Sequence, residues 1–138
     1  MTVRGEVLVA GSPGAGEALV LSAPISFWGG VDPKSGRIAD VRHPEHGRMI
    51  AGTVLFLPGT IGSSSASAVL LELVHAGLAP AALILYEPDA ILLLGLVVAK
   101  EMGLRPPVAV RLGRDVFGQF AGRRMRVGED GCVSIEEE

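Results

Sequence analysis

The segment LPGTIGSSSAS, residues 57–67, places a cluster of serine hydroxyls directly behind two glycines. An apolar run precedes it and a helical pattern follows it, so residues 62–65 are predicted to lie at a helix N-terminus. Unpaired N–H groups and a partial positive charge at such an end favour a bound anion or an alkoxide. One serine is enough to cap a helix, whereas this segment has three in a row. From the residues alone, a helix cap and an active-site loop both stay open.

Two further motifs suggest ligand chemistry, and each has a simpler interpretation. GSPGAGE, residues 11–17, has the glycine spacing of a phosphate loop, but Glu17 stands where such a loop needs lysine. The run continues as a strand, so we expect a glycine turn between two strands. HPEH, residues 43–46, offers two imidazoles, but Pro44 favours a loop and no third ligand of good type lies nearby in sequence. We therefore expect no metal site in this chain.

Composition and charge exclude several classes of protein. The chain has 138 residues, 49% hydrophobic and 20% charged, which is typical of one globular domain with an aliphatic core. A net charge of -3 disfavours nucleic acid as a partner. The single cysteine, Cys132, excludes an internal disulfide and a thiolate cage built by this chain alone. A local basic cluster, offset by acidic residues 136–138, is interpreted as a solvated face; it consists of Arg111, Arg114, Arg123, Arg124 and Arg126.

Targeting and membrane signals are weak. Residues 1–11 lack the pattern of a charged start followed by a small-residue cleavage site, and the longest apolar stretch, residues 90–99, is too short to span a bilayer. There is no Gly-x-Ser-x-Gly motif to anchor a hydrolase triad. We expect a soluble, cytoplasmic protein that contacts no membrane.

The serine segment needs a strand before it and a helix after it, and the pattern predicts both. Residues 53–57 are predicted to form a buried strand ended by Pro58 and Gly59. Apolar residues then recur at helical spacing over 69–74, with Gly77 as the stop.

The alternation of strand and helix continues downstream. A strand is predicted over 81–86, then a helix over 90–101 capped by Asp89 and stopped at Gly103, then a strand in RPPVAVRL. This β-α-β-α-β order implies parallel strands with right-handed crossovers. With strands predicted at both ends of the chain, the fold class is α/β, as one β/β/α domain over residues 1–138.

Several segments resemble a known family. GGVDP at 29–33, Gly52 at a strand entry, GSS at 62–64 and APAALI at 79–84 together resemble the small, swivelling subunit of the aconitase X type dehydratases. The likeness covers nearly the whole chain. It implies a β/β/α fold similar to the mobile fourth domain of aconitase, which agrees with the predicted order of elements.

The resemblance also implies a division of labour between two chains. A large partner subunit would hold an iron–sulfur cluster, and this chain would bind no cofactor itself. Ser63 matches the family's serine base, which would remove a proton next to the carbon whose hydroxyl departs on the cluster iron. The substrate-binding residues implied with it are Gly62, Ser64, Ser65, Gly29 and Gly30.

The substrate is a small anion or zwitterion, and the resemblance implies two candidates. Phosphomevalonate dehydratases of this type tend to carry Arg-Gly-Lys before the Gly-Ser pair, where this chain has Gly59, Thr60 and Ile61. A phosphate group normally requires Arg or Lys, so we favour cis-3-hydroxy-L-proline over mevalonate 5-phosphate. A different class also stays open, namely a non-catalytic swivel domain that binds a partner or a small anion.

Two surfaces discriminate between these classes. The predicted helix AILLLGLVVA is apolar on every side, which implies deep burial or an interface. An apolar surface beside Ser63 would favour a missing partner.

Overall fold

The computed structural model describes residues 1–136. Glu137 and Glu138, the end of the acidic run, lie outside the described residues. The strands are β1 Thr2–Arg4, β2 Glu6–Val9, β3 Gly14–Val20, β4 Val31–Asp32, β5 Arg37–Ile38, β6 Val54–Leu57, β7 Ala82–Leu85, β8 Val108–Arg111, β9 Arg124–Val127 and β10 Cys132–Ile135. The helices are an irregular turn α1 Phe27–Gly30, α2 Ala66–Ala76, α3 Ala90–Glu101 and a 3-10 helix Arg114–Gln119.

One mixed sheet of eight strands organises the chain, in the order β1-β10-β9-β3-β6-β7-β8-β2. Its centre, β3-β6-β7-β8, is parallel, as the strand and helix alternation predicted. The outer strands on both sides pair antiparallel. Each parallel strand therefore ends at the same edge of the sheet, where the loops that follow the strands meet.

Helix α3 has the bounds that the sequence predicted, and α2 ends where Gly77 predicted its stop. α3 begins at Asp89, whose side chain accepts a hydrogen bond from the Leu92 N–H at 3.0 Å, as its position predicted. α2 ends at Gly77, which has φ of 74° and therefore supplies the left-handed residue that closes the helix.

Two hydrophobic cores give the β/β/α layering that the sequence predicted. One core lies between α2, α3 and the parallel strands, and includes Leu70, Leu73, Leu92 and Leu96. The other lies on the opposite face, where Phe56 stacks against Phe120 with ring centroids 5.6 Å apart. The sheet curls so that β9 and β10 cover the underside of β6, β7 and β8, because β3 pairs with β9 over its first half and with β6 over its second.

The GSPGAGE run has a different role from the turn that we predicted. Its glycines Gly14 and Gly16 lie inside β3, where a side chain would collide with the carbonyl oxygens of Ala81 and Gly52. The strand after the run is as predicted, but β2 and β3 do not pair with each other: β2 lies against β8 at the far edge. Glycine at these two positions therefore lets the neighbouring backbone approach β3 closely. The spacing of the glycines alone does not distinguish this role from that of a phosphate loop.

The basic cluster is in part an exposed ion-pair network. Arg126 and Arg124 each donate to the carboxylate of Glu136, at 2.7 and 2.9 Å. The hydrogen bond from Arg126 is the main reason that the pKa of Glu136 lies below its ordinary value, with the bond from Arg124 adding to it. These charges face solvent at the β9 and β10 side of the sheet. Within residues 1–136, no helix combines the length and apolar character needed to cross a bilayer.

Candidate functional site

The loop of residues 58–65, called the serine loop below, joins the C-terminal end of β6 to the start of α2. Ser63 is partly exposed and Ser64 is exposed. The carboxyl edge of a parallel sheet is where α/β proteins most often bind ligands, since loops and helix N-termini converge there. The serines are therefore in a position that suits chemistry.

Ser63 makes the contacts that begin α2. Its Oγ accepts a hydrogen bond from the Ser65 N–H at 3.2 Å, and its carbonyl oxygen accepts from the Ala66 N–H at 3.1 Å. Ser65, which directly precedes the helix, makes no capping bond with its side chain. No serine side chain caps α2 itself, and the Ser65 N–H that Ser63 Oγ accepts would stabilise negative charge on that oxygen.

Gly62 lies in open space. A Cβ added there would meet no atom of the described chain within 4 Å, and its φ lies outside the left-handed region that favours glycine. The fold of this chain therefore does not require glycine at residue 62. Glycine would be required at residue 62 only by a ligand or partner that approaches the backbone from outside this chain.

The turn of residues 26–30 follows Ile25, which pairs with the serine loop. Ile25 and Thr60 form a parallel bridge, and the Ile61 N–H donates to the Ile25 carbonyl at 3.0 Å. Gly29 is exposed and has φ of 79°, in the left-handed region that favours glycine. Gly30 is buried, and its carbonyl accepts from the Ala39 N–H at 2.8 Å. Of the two glycines, Gly29 is the one that offers surface to a ligand.

A contact missing from the sequence-based account ties the serine loop to α3. Thr60 Oγ1 donates to Asp89 Oδ2 at 2.7 Å, while Asp89 Oδ1 caps α3. One carboxylate therefore fixes both the base of the serine loop and the start of the next helix. The two partners are 29 positions apart in the sequence and no periodic signal joins them, although the cap itself was predicted from the sequence.

HPEH, interpreted above as a loop, holds residues 22–23, which lie just before the turn at residues 26–30. His43 is buried, its Nε2 lies 3.0 Å from the Ala23 carbonyl, and its Nδ1 accepts from the Glu45 N–H at 3.1 Å. The proton therefore sits on Nε2, which donates to Ala23. Glu45 in turn accepts from the N–H and the hydroxyl of Ser22, at 2.7 and 2.8 Å. Both imidazole nitrogens are used by backbone groups, so this histidine is not available to a metal.

Two large apolar side chains are exposed at this edge. Trp28 is 60% exposed in the turn, and Ile61 is 57% exposed in the serine loop, next to Gly62. Large exposed apolar groups beside a polar site are typical of an interaction surface. The surface near Ser63 thus has the apolar character that favours a missing partner.

Metal ligands do not cluster in the described chain. Residues 1–136 contain no group of three His, Cys, Asp or Glu placed to hold a metal ion. Cys132, a free thiol, lies in β10, three strands from β6 across the sheet. The donor set here does not fit an iron–sulfur cluster, which needs several thiolates.

Comparison with known proteins supports one family. The family model described as aconitase X swivel domain matches residues 2–135. A cis-3-hydroxy-L-proline dehydratase of Pseudomonas aeruginosa is 52% identical over 103 residues, which are 74% of this chain and 18% of that protein. The phosphomevalonate dehydratase small subunit of Thermococcus onnurineus is 36% identical over 138 residues, covering 99% of this chain and 100% of that one.

The fold has a solved counterpart. The crystal structure of Thermococcus kodakaraensis aconitase X, in its holo-form, matches with a TM-score of 0.85 at 33% identity and covers 99% of both chains. The matched segment is less than a fifth of the Pseudomonas protein's length, whereas it is the full length of the Thermococcus onnurineus subunit.

Proposed function

This chain belongs to the aconitase X swivel-domain family, and from that premise we propose that it is the small subunit of a two-chain dehydratase. Its task is to present Ser63 as a base to a substrate held mainly by a large subunit. By itself the chain is inactive, because the rest of the site belongs to the other polypeptide. The names of the relatives, which are dehydratases and small subunits of dehydratases, support this assignment.

The observation that carries the proposal is the environment of Ser63 Oγ. It accepts the N–H of Ser65, the residue directly before α2, stays partly exposed, and lies in a loop flanked by open space at Gly62. A serine hydroxyl is a very weak acid, so its deprotonated form needs strong stabilisation. The helix N-terminus supplies part of it, and exclusion of water by the covering subunit strengthens each electrostatic contact.

The reaction is the removal of water across two neighbouring carbons. Ser63 Oγ takes the proton from the carbon next to the one that bears the hydroxyl, and the C–H electron pair becomes the double bond. The C–O bond breaks and hydroxide leaves. Return of the proton from Ser63 completes the loss of one water molecule and restores the base.

We assign the iron–sulfur cluster to the large subunit. The ligands that such a cluster needs do not occur together among residues 1–136, so this chain supplies no ligand set for it. Its own contributions are the base, the space at Gly62 for the substrate, and contacts from Ser64, Ser65 and Gly29. Gly30 supports the turn from inside.

For the substrate we propose cis-3-hydroxy-L-proline. The base of the serine loop carries a carboxylate, Asp89, bonded to Thr60, and no lysine or arginine occupies residues 59–61. A negative group there disfavours a phosphate, which would need cations from the large subunit. The 52% identity to a hydroxyproline dehydratase supports the same choice.

Mevalonate 5-phosphate is the second candidate. It is favoured by the end-to-end match to the Thermococcus onnurineus small subunit, since this chain and that one are of matching extent. The two candidate substrates differ in charge, so an experiment can distinguish between them.

The test is reconstitution. This chain is co-expressed with the product of the neighbouring reading frame, and loss of water from each candidate is followed by mass spectrometry. We expect turnover of cis-3-hydroxy-L-proline by the complex and by neither chain alone. Turnover of mevalonate 5-phosphate instead would replace the substrate, and a complex that dehydrates neither compound would favour the non-catalytic swivel domain.

A further inference from the structure

Helix α3 carries an apolar face that is left uncovered by the described chain. Leu92, Leu93, Leu96 and Ala99 face the core. The opposite face exposes four aliphatic side chains, between 37% and 52% each, called the α3 stripe below: Ile91, Leu94, Val97 and Val98. Between Asp89 and Lys100 the helix has no charged residue. An ordinary surface helix has polar residues on such a face, so this composition marks contact with another apolar surface.

A groove lies beside the exposed face of α3. It holds about 310 Å³ and is lined by Leu8, Val9, Pro88, Leu93, Leu94 and Val97. The groove runs between α3 and the edge strand β2, and its lining residues are all aliphatic or proline. A partner with protruding aliphatic side chains fits it, whereas a charged segment would be desolvated without a counter-charge.

The α3 stripe is physically continuous with the serine loop. Asp89 starts α3 and is bonded to Thr60 in the loop. Further along, α3 presses directly against α2, because a side chain at Gly95 would collide with the backbone carbonyl of Ser67. The helix that follows the serine loop and the helix that carries the stripe are therefore in direct contact.

The occupant has to be a large body. Four half-exposed aliphatic side chains offer far less than the roughly 800 Å² per partner that a stable interface buries, so a second copy docked on the α3 stripe alone is a poor fit. In the Pseudomonas relative the matched segment is 18% of the protein, which leaves about four-fifths of that chain to contact it. A body of that size can cover the edge with Ser63 and the α3 stripe together.

We propose that the α3 stripe and its groove are a docking surface for the large subunit, which covers them with aliphatic side chains. This inference rests on the proposed function. The inference specifies where the large subunit binds this chain: along α3 as well as at the edge of the sheet where Ser63 lies.

The test uses two double variants. Leu94→Gln with Val98→Gln makes the stripe polar, and both residues are exposed, so the fold should persist. Ala76→Gln with Ala121→Gln is the control, at exposed positions outside the stripe and its groove. Affinity for the purified large subunit is measured by calorimetry, and the association state of each isolated chain is measured by sedimentation velocity. Circular dichroism confirms the fold of each.

We expect the stripe variant to bind the large subunit at least tenfold more weakly, with the control unchanged and every isolated chain monomeric. Unchanged affinity of the stripe variant overturns the inference. A second result would also overturn it: the wild-type chain forms a dimer, the stripe variant does not, and both bind the large subunit equally well. A second copy of this chain would then be what covers the stripe. Ser63→Ala should bind as tightly as wild type whether or not it turns over substrate, which separates this result from the base role. A wild-type chain that binds no large subunit overturns both.

Discussion

Ser63 has a structural task and a proposed chemical one, and both use the same oxygen. The Oγ that accepts the Ser65 N–H helps to begin α2, and that contact is also what would stabilise its deprotonated form. Loss of one such hydrogen bond costs about 1 kcal/mol of stability. Stability therefore has to be measured alongside turnover in any variant of this residue.

Gly62→Ala separates the needs of the fold from those of the site. The added methyl meets nothing within 4 Å and replaces a glycine whose φ is not left-handed, so we expect the free energy of unfolding to be unchanged or to rise by about 0.4–1 kcal/mol. Turnover of the assembled enzyme should fall at least tenfold, because the methyl enters the space proposed for substrate. Urea unfolding and steady-state kinetics measure the two effects.

Gly118→Ala is the matched control for Gly62→Ala, since it also adds a methyl into open space but in the 3-10 helix. Its free energy of unfolding should likewise be unchanged or rise by about 0.4–1 kcal/mol, and its turnover should match wild type. Full activity in Gly62→Ala would contradict the placement of substrate at residue 62.

His43→Ala should loosen the turn at residues 26–30 while leaving the helices folded. It removes a buried ring and its bonds to Ala23 and Glu45, with a cost of about 1–3 kcal/mol. Trp28 is the single tryptophan and lies in that turn, so its fluorescence anisotropy should fall. His46→Ala, at an exposed position of the same loop, is the control and should leave anisotropy unchanged. If the Trp28 anisotropy were the same in His43→Ala and His46→Ala, His43 would not hold this segment in place.

The roles of single residues could be predicted from the sequence only where they depend on near neighbours along the chain. The Asp89 cap and the Gly77 stop follow from helix chemistry that spans a few residues. The bond from Thr60 to Asp89 and the bond from His43 to Ala23 join residues that are distant along the chain, so no local pattern reveals them.

At the scale of elements, the parallel centre was predictable and the antiparallel flanks were less so. Strands β6, β7 and β8 alternate with α2 and α3, and short connections leave little choice of topology. In the first third, the strands β2 and β3 were predicted, but their partners were not. Pairing of β2 with β8 and of β3 with β9 depends on contacts between the two ends of the chain.

Contact between α2 and α3 depends on a missing side chain. Gly95→Ala puts a methyl against the Ser67 carbonyl, so the helices must separate. The overpacking costs about 1–3 kcal/mol, which outweighs the gain of up to about 1 kcal/mol in helix propensity. We therefore expect the midpoint of urea unfolding to fall. A variant as stable as wild type would show that the helices are not held this closely.

At the scale of the whole molecule, two apolar surfaces are left uncovered by residues 1–136, as proposed for a chain that works with a large subunit. Trp28 and Ile61 are exposed beside the serine loop, and the α3 stripe extends the apolar surface down one helix. The apolar pattern of α3 predicted either burial or an interface, and the structure buries one face of the helix and leaves the other exposed. The sequence could not reveal which face remains uncovered, because every face is apolar.

The most direct measurement is single-turnover dehydration by the assembled enzyme with Ser63→Ala, beside Ser67→Ala as the matched control. Ser67 is a serine of the same helix start whose hydroxyl only contacts the Ser64 carbonyl, at 3.4 Å. We expect Ser63→Ala to assemble, to lose about 1 kcal/mol of stability, and to lose about 10²–10⁴-fold in rate. The control should retain wild-type turnover. A Ser63→Ala complex that assembles and dehydrates its substrate at the wild-type rate would contradict the central claim that this chain supplies the base.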